Sequence, residues 1–294
     1  MATATLFFLC AGQDVRKLLT LILLSVALAG ASASALALKI EGDRERSWRL
    51  SLAGPINAGD AERFVRTLLE PLADKPLLVS EVVLNSPGGN LSEALRLASL
   101  IRGMHLDTRI RSGGFCSSAC FFVFLAGDQR QTAERNGGNM RPGRIGLHRP
   151  FLGGDTLKNA DPTYGMERQQ AEMGKVIDYL RRESMPLRLI DEMMSHASND
   201  IYWMSDDDLW QLGEFHPGLE EVLIARCGYD KRLTSPAYAQ LLAGLDNEAR
   251  KKGQAQLEKL LQCMASTRAN FDVKRDAFVA KLKTGWRPWM ETMR

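Results

Sequence analysis

The sequence predicts an α/β protein, a mostly parallel β-sheet in layers with flanking helices, followed by an α-helical C-terminal extension. Between Trp48 and Ile110, short apolar strands alternate with amphipathic helices across short connections. That rhythm belongs to a parallel sheet covered by helices. From Cys227 onwards Lys, Gln, Ala and Leu dominate, and apolar residues recur at helical spacing. These two observations divide the chain into an α/β domain at 38–226 and a helical extension at 227–294, behind a leader at 1–37.

The leader has its own pattern. Arg16 and Lys17 precede the apolar run Leu18–Gly30, and the small-residue stretch ASASALA follows. A basic region, an apolar core and an A-x-A site make a secretory signal, with cleavage expected after Ala33, Ala35 or Ala37. The competing reading is an uncleaved anchor, but the core falls short of the roughly 18–20 residues of a membrane span. The stretch before Val15 fits no signal pattern, which suggests initiation nearer Val15. Export places the mature chain in the periplasm or outside the cell.

Trp48–Ile56 alternates apolar and polar residues and ends at Gly-Pro, a strand and turn. Gly59-Asp60 opens a helix to about Glu70, where Pro71 stops it, with Phe64, Val65, Leu68 and Leu69 on its apolar face. Glu81–Leu84 is a short strand ending at Asn85-Ser86-Pro87-Gly88-Gly89. A second amphipathic helix runs from Leu91 to about Met104, and Thr108–Ile110 is a third strand. The polar segment DQRQTAERNGGNMRPGR after Gly127 carries no pattern and reads as a loop or hairpin. Ile145–His148 is a strand, and helices follow over about Thr163–Arg182 and Pro186–His196. Tyr202–Met204 is a strand fragment, and Ser205 caps a helix ending near Gly213.

Composition excludes some functions. With 38 Lys and Arg against 35 Asp and Glu, the net charge of +3 gives no reason to expect nucleic acid. No C-x-x-C pair suggests zinc, and no Gly-Lys-Ser/Thr follows Gly88-Gly89 to make a phosphate loop, so no cofactor or metal is expected. Cys116, Cys120, Cys227 and Cys263 are an even set for an oxidising compartment. Cys227 with Cys263 is a plausible disulfide, and Cys116 with Cys120 would bracket two serines.

Those serines lie in RSGGFCSSACFFVFLAG, Arg111–Gly127, where an apolar helix begins after a glycine turn. A serine there is either a plain N-cap or a nucleophile beside unpaired N–H donors. Ser117 reads as the cap and Ser118 as the nucleophile. Of four histidines, His105, His196 and His216 sit at helix ends or turns, whereas His148 closes a short apolar strand. Strand ends and the turns after them share one rim of a parallel sheet, which brings Ser118, His148 and Gly88-Gly89 to one place. The two glycines free the backbone to aim an N–H at a substrate carbonyl.

LNSPGG at 84–89, CSSACFFVFLAG at 116–127 and RIGLHRP at 144–150 together resemble the ClpP-type serine protease superfamily, which includes crotonase-fold enzymes. The closer resemblance is to predicted periplasmic ClpP-like proteins of bacteria, and it spans about Trp48–Phe215, through HRPFLGG and IYWMSDDDLWQLGEF. It implies Ser118 as nucleophile, His148 as base, and the backbone of Gly89 (with Gly88 its neighbour) and Ala119 as oxyanion donors. The acid falls on Asp200, with a one-residue insertion before Tyr202. Lys158 is the alternative base, from relatives that use a Ser-Lys dyad. The resemblance further implies a peptide or protein substrate bound along Gly153-Gly154, and a homo-oligomer. A peptidase is the leading expectation. The alternatives are a catalytically inactive protein of the same fold that binds peptides or envelope partners, and a crotonase-like acyl-CoA enzyme.

Overall fold

The computed structural model describes residues 35–41, 48–69, 79–132, 143–151 and 162–291. All belong to the second of two compact units, Met1–Ser34 and Ala35–Arg294. Residues 1–34 of the leader, the Gly153-Gly154 segment and Lys158 lie outside the described residues, whereas Leu36 is buried and Ala37 opens the first strand.

Strand β1 (Ala37–Glu41) pairs antiparallel with β2 (Trp48–Ala53). β2, β3 (Val79–Asn85), β4 (Asp107–Ile110) and β6 (Arg130–Thr132) run parallel, in the order β1-β2-β3-β4-β6. Helices α1 (Asp60–Leu69) and α2 (Leu91–Gly103) make the crossovers. α1 buries Phe64, Val65 and Leu68 of its expected face and leaves Leu69 half-buried, and α2 buries Ala94, Leu97, Ala98 and Ile101. A second sheet of three strands has β7 (Arg144–Leu147) at its centre. β7 is parallel to β5 (Phe115–Ser117) and antiparallel to β8 (Tyr202–Trp203). A bridge between Ser86 and Cys116 joins the two sheets.

Helix α3 (Ala119–Leu125) is apolar on every side, and all seven of its residues are buried. A helix with no polar face must be enclosed, and here both sheets and the helix α4 (Pro162–Arg182) contribute to one continuous core with it. Helices α5 (Leu187–Ser195) and α6 (Asp206–Leu212) follow, the latter opened by a reciprocal Ser205–Asp208 capping box. The C-terminal part comprises α7 (Pro217–Cys227), α8 (Pro236–Ala243) and the long α9 (Asn247–Glu291). A smaller core of Phe215, Leu219, Leu223, Tyr229, Leu260 and Met264 ties α7 to α9. No helix among the described residues is long and apolar enough to cross a membrane.

Four elements go beyond the sequence reading. β1 is masked in the sequence because the apolar leader flows into it without a break; Leu36, 2% exposed, already belongs to the core. β6 lies in the segment read as patternless, since its residues are polar and Arg130 is buried by pairing rather than by hydrophobicity. β5 is only three residues long. The His216-Pro217 turn is instead the start of α7, with His216 as cap and Pro217 at a position where a missing N–H costs nothing.

Candidate active site

The turn after β3 is shaped by two close approaches. Gly88 (φ 93°) lies so near α3 that a Cβ would stand 2.6 Å from the Ser117 carbonyl oxygen, and 2.7 Å from both Ala119 N and Ser118 Cβ. Gly89 (φ 140°) abuts Ile56, whose carbonyl oxygen would be 2.2 Å from a Cβ. Only glycine meets both the positive φ and the lack of space. The turn is held from several sides. Ile56 N donates to Gly88 O (2.8 Å), Asn90 N to Ile56 O (2.8 Å) and Ser117 N to Ser86 O (3.1 Å). Gly88 N donates to Ser86 Oγ at 3.1 Å. Among the described residues, the N–H groups of Gly89 and Ala119 have no acceptor.

The two serines divide sharply. Ser117 is 2% exposed, and its hydroxyl donates to Pro87 O at 3.2 Å, tying the turn to β5. It is not the helix cap. That position falls on Ser118, whose side chain makes no capping bond. Ser118 is half-buried and has φ 56° and ψ −128°, a conformation L-residues avoid. Such strain costs on the order of 1–3 kcal/mol and persists only where the surroundings impose it. Here Ser118 N donates to Gly146 O (3.0 Å), and Ser118 O accepts from Phe121 N (3.0 Å). Cys116 and Cys120 are joined by a disulfide across the same corner, and a second bridge links Cys227 and Cys263.

β5 and β7 run parallel with Ser117 opposite Gly146, so Ser118 and His148 emerge from adjacent strands at the same end. His148 is 7% exposed, and its Nδ1 lies 2.9 Å from the Arg149 carbonyl oxygen. A carbonyl only accepts, so Nδ1 carries the proton and Nε2 is the basic nitrogen. Arg149 is itself pinned, its N–H donating to His196 O at 2.8 Å. Pro150 confines Arg149 to extended backbone angles, so the sequence did carry a trace of this main-chain support. The Phe151 ring, 53% exposed, lies 6.0 Å from the imidazole. The described residues show no hydrogen bond between Ser118 Oγ and His148.

Asp200 is placed elsewhere. Its carboxylate is 70% exposed and stands 3.9 Å from His196 Nε2, and it makes no hydrogen bond or ion pair with His148 among the described residues. The structure thus brings together Gly88, Gly89, Ser118, Ala119 and His148, and it leaves Asp200 against a different histidine. Gly146 was not singled out from sequence. A Cβ there would stand 2.9 Å from Ser117 Cβ and 2.6 Å from Ile201 Cγ2, so its smallness lets β5 and β7 approach.

Behind α3 lies a buried ionic cluster. Leu125 O, one of the carbonyls that a helix end leaves unpaired, accepts from Arg102 Nη2 (3.2 Å) and Arg130 Nε (3.0 Å). Arg130 Nη2 pairs with Glu183 at 2.7 Å and Arg102 Nη1 with Asp128 at 2.9 Å. Burial pushes the Arg130 guanidinium down to about 10, against the opposing pull of Glu183. Burial works against the Glu183 carboxylate as well, but the His216 hydrogen bond and the charges of Arg102 and Arg130 outweigh it and hold the carboxyl below its ordinary range.

No protein-family model matches the chain, and no curated protein matches it. Its structure is similar to that of a ClpP1 mutant from Listeria monocytogenes, with 16% sequence identity and a TM-score of 0.41. That match covers 56% of this chain and 86% of that chain.

Proposed function

We propose that this chain is an exported serine hydrolase of the peptidase type, with Ser118 as nucleophile and His148 as general base. The observation that carries the reading is the backbone of Ser118. It is strained at φ 56° and ψ −128° and flanked by the acceptor-free N–H groups of Gly89 and Ala119, beside the strand that His148 directly follows. Ser118 Oγ attacks the scissile carbonyl while His148 Nε2 takes its proton. The Arg149 carbonyl keeps Nδ1 protonated and the ring oriented, the part an aspartate takes in a Ser-His-Asp triad. The N–H groups of Gly89 and Ala119 receive the oxyanion, each donor contributing about 2.7–4 kcal/mol at the transition state. The proton then passes from Nε2 to the leaving amine, and water, activated by the same nitrogen, releases the acyl-enzyme. No cofactor enters this chemistry. Two disulfides fit an oxidising compartment and therefore export. Cleavage after Ala33 or Ala35 keeps the buried Leu36, whereas cleavage after Ala37 would remove it.

A second reading, a non-catalytic peptide-binding protein, is favoured by one observation, the absence of Asp200 from His148. One experiment separates the two. A fluorophosphonate probe should label the wild type, fail to label Ser118→Ala and His148→Ala while both variants stay folded, and label Asp200→Asn at the wild-type rate. A wild type that stays unlabelled, or a Ser118→Ala variant that labels equally, removes the hydrolase reading.

A further inference from the structure

We propose that the Cys116–Cys120 disulfide is a positioning clamp that holds Ser118 in its strained conformation, so that the serine is competent only in the oxidised chain. The inference rests on the reading of Ser118 as nucleophile. The bridge connects β5 to the first turn of α3 and encloses only Ser117, Ser118 and Ala119. An extended stretch of four steps spans ~13–14 Å, whereas here the two Cα atoms are held 5.3 Å apart. Ser118 therefore cannot relax by straightening. Nor can it relax into the helix, because Cys116 and Ser117 are committed to β7 through their pairing with Ile145 and Gly146. The sharp corner at Ser118 is what remains, and its side chain offers no capping bond to hold it.

Ring size argues in the same direction. A disulfide stabilises the whole fold mainly by closing a long loop in the unfolded chain. Cys227–Cys263, with a sequence separation of 36, suits that task; Cys116–Cys120, with a separation of 4, suits it poorly. What a small ring restricts is the backbone inside it. Cys116 and Cys120 are both fully buried, so a reductant does not reach the bridge in the folded protein. The clamp is accordingly a permanent part of the oxidised site, absent from any chain folded where thiols stay reduced.

The test uses the full chain in three forms: wild type, Cys116→Ala/Cys120→Ala, and Cys227→Ala/Cys263→Ala. Three readouts are taken, the saturating fluorophosphonate labelling rate, amide hydrogen exchange across residues 111–125, and the melting temperature. Loss of the clamp is expected to slow labelling at saturation by about tenfold or more, as the competent fraction falls, and to speed exchange at residues 117–120. The Cys227/Cys263 variant is expected to melt earlier yet label at the wild-type rate. Folding that variant under reducing conditions supplies the same clamp as free thiols in an otherwise unchanged chain. It should label slowly and recover after unfolding and refolding under oxidising conditions, and it keeps the test decisive if the first pair of substitutions fails to fold. Unchanged exchange at 117–120 without the bridge overturns the clamp. So does unchanged labelling by the clamp-free form when the wild type labels. A wild type that does not label overturns the hydrolase reading instead, and exchange alone then judges the clamp.

Discussion

At the residue scale the site depends on Gly88 as much as on Ser118. The Gly88 backbone is wedged against the Ser117 carbonyl, the Ser118 Cβ and the Ala119 amide, all within 2.6–2.7 Å of where a side chain would begin. Two of these three neighbours are main chain and the third is a Cβ fixed by its backbone, so none can swing aside as a long side chain would. Gly88→Ala should push the turn away from Ser118 and from the Ala119 N–H. Displacement of about 1 Å at reacting groups costs on the order of 100-fold in rate, and labelling of Ser118 should fall by that order. Gly113→Ala is the control. Its φ of 70° is also positive, but no atom lies within 4 Å of the added Cβ, and labelling should hold. Equal labelling of the Gly88 variant and wild type would show that the turn is not part of the site.

At the element scale, helix α9 is the largest addition to the α/β core, and its docking is specific. Arg268 reaches Asp107 with two hydrogen bonds of 2.6 and 2.7 Å, and Gln129 with another of 2.6 Å. Phe271 meets the His105 ring at 5.0 Å, while Val279 and Leu282 enter the main core. Asp107 opens β4, whereas the glycine turn follows the end of β3. The register pairs Asp107 with Glu81, so α9 is anchored at the end of the sheet away from Ser118. Burial already pushes the Asp107 carboxyl above its ordinary range in spite of Arg268. Arg268→Ala would leave it buried without its counter-ion. Hydrogen bonds to charged groups contribute about 1.5–3 kcal/mol, and chemical denaturation of this variant should show a loss of that order. Its labelling rate per folded molecule should stay at the wild-type value. A drop in that rate would mean that α9 supports the site directly.

At the scale of the whole molecule, Glu183 joins elements far apart in sequence. It pairs with Arg102 on α2, with Arg130 on β6, and with His216 at the start of α7 at 3.5 Å. Its carboxyl lies below the ordinary range in the folded protein, so the unfolded chain takes up a proton more readily. Stability from this group is present above about pH 4.5, the ordinary carboxyl value, and is lost as pH falls through the depressed folded value. Melting temperatures measured from pH 7 down to pH 3 should fall at the acid end for the wild type. Glu183→Gln should be less stable at pH 7, because Arg102 and Arg130 lose their shared partner, and should lose less on acidification. Parallel curves for the two proteins would show that Glu183 does not control acid stability.

Periodicity alone specified α1, α2 and the parallel strands between them, because a buried face imposes its spacing on the sequence. The glycine turn, the serine helix and the strand before His148 were legible for a related reason: each needs a residue type with no substitute at that point. The short strands β5 and β6 were not, since three residues carry no period and Arg130 is buried through an ion pair with Glu183, just past the end of α4. Which serine is strained, which carbonyl holds His148 and where Asp200 points were decided only by tertiary structure. Those properties arise from backbone angles and from approaches between segments remote in the chain. Two adjacent serines are chemically alike in the sequence. The packing of Gly88, the pairing of β5 with β7 and the disulfide across the corner leave Ser117 buried and bonded, and Ser118 strained and half-exposed.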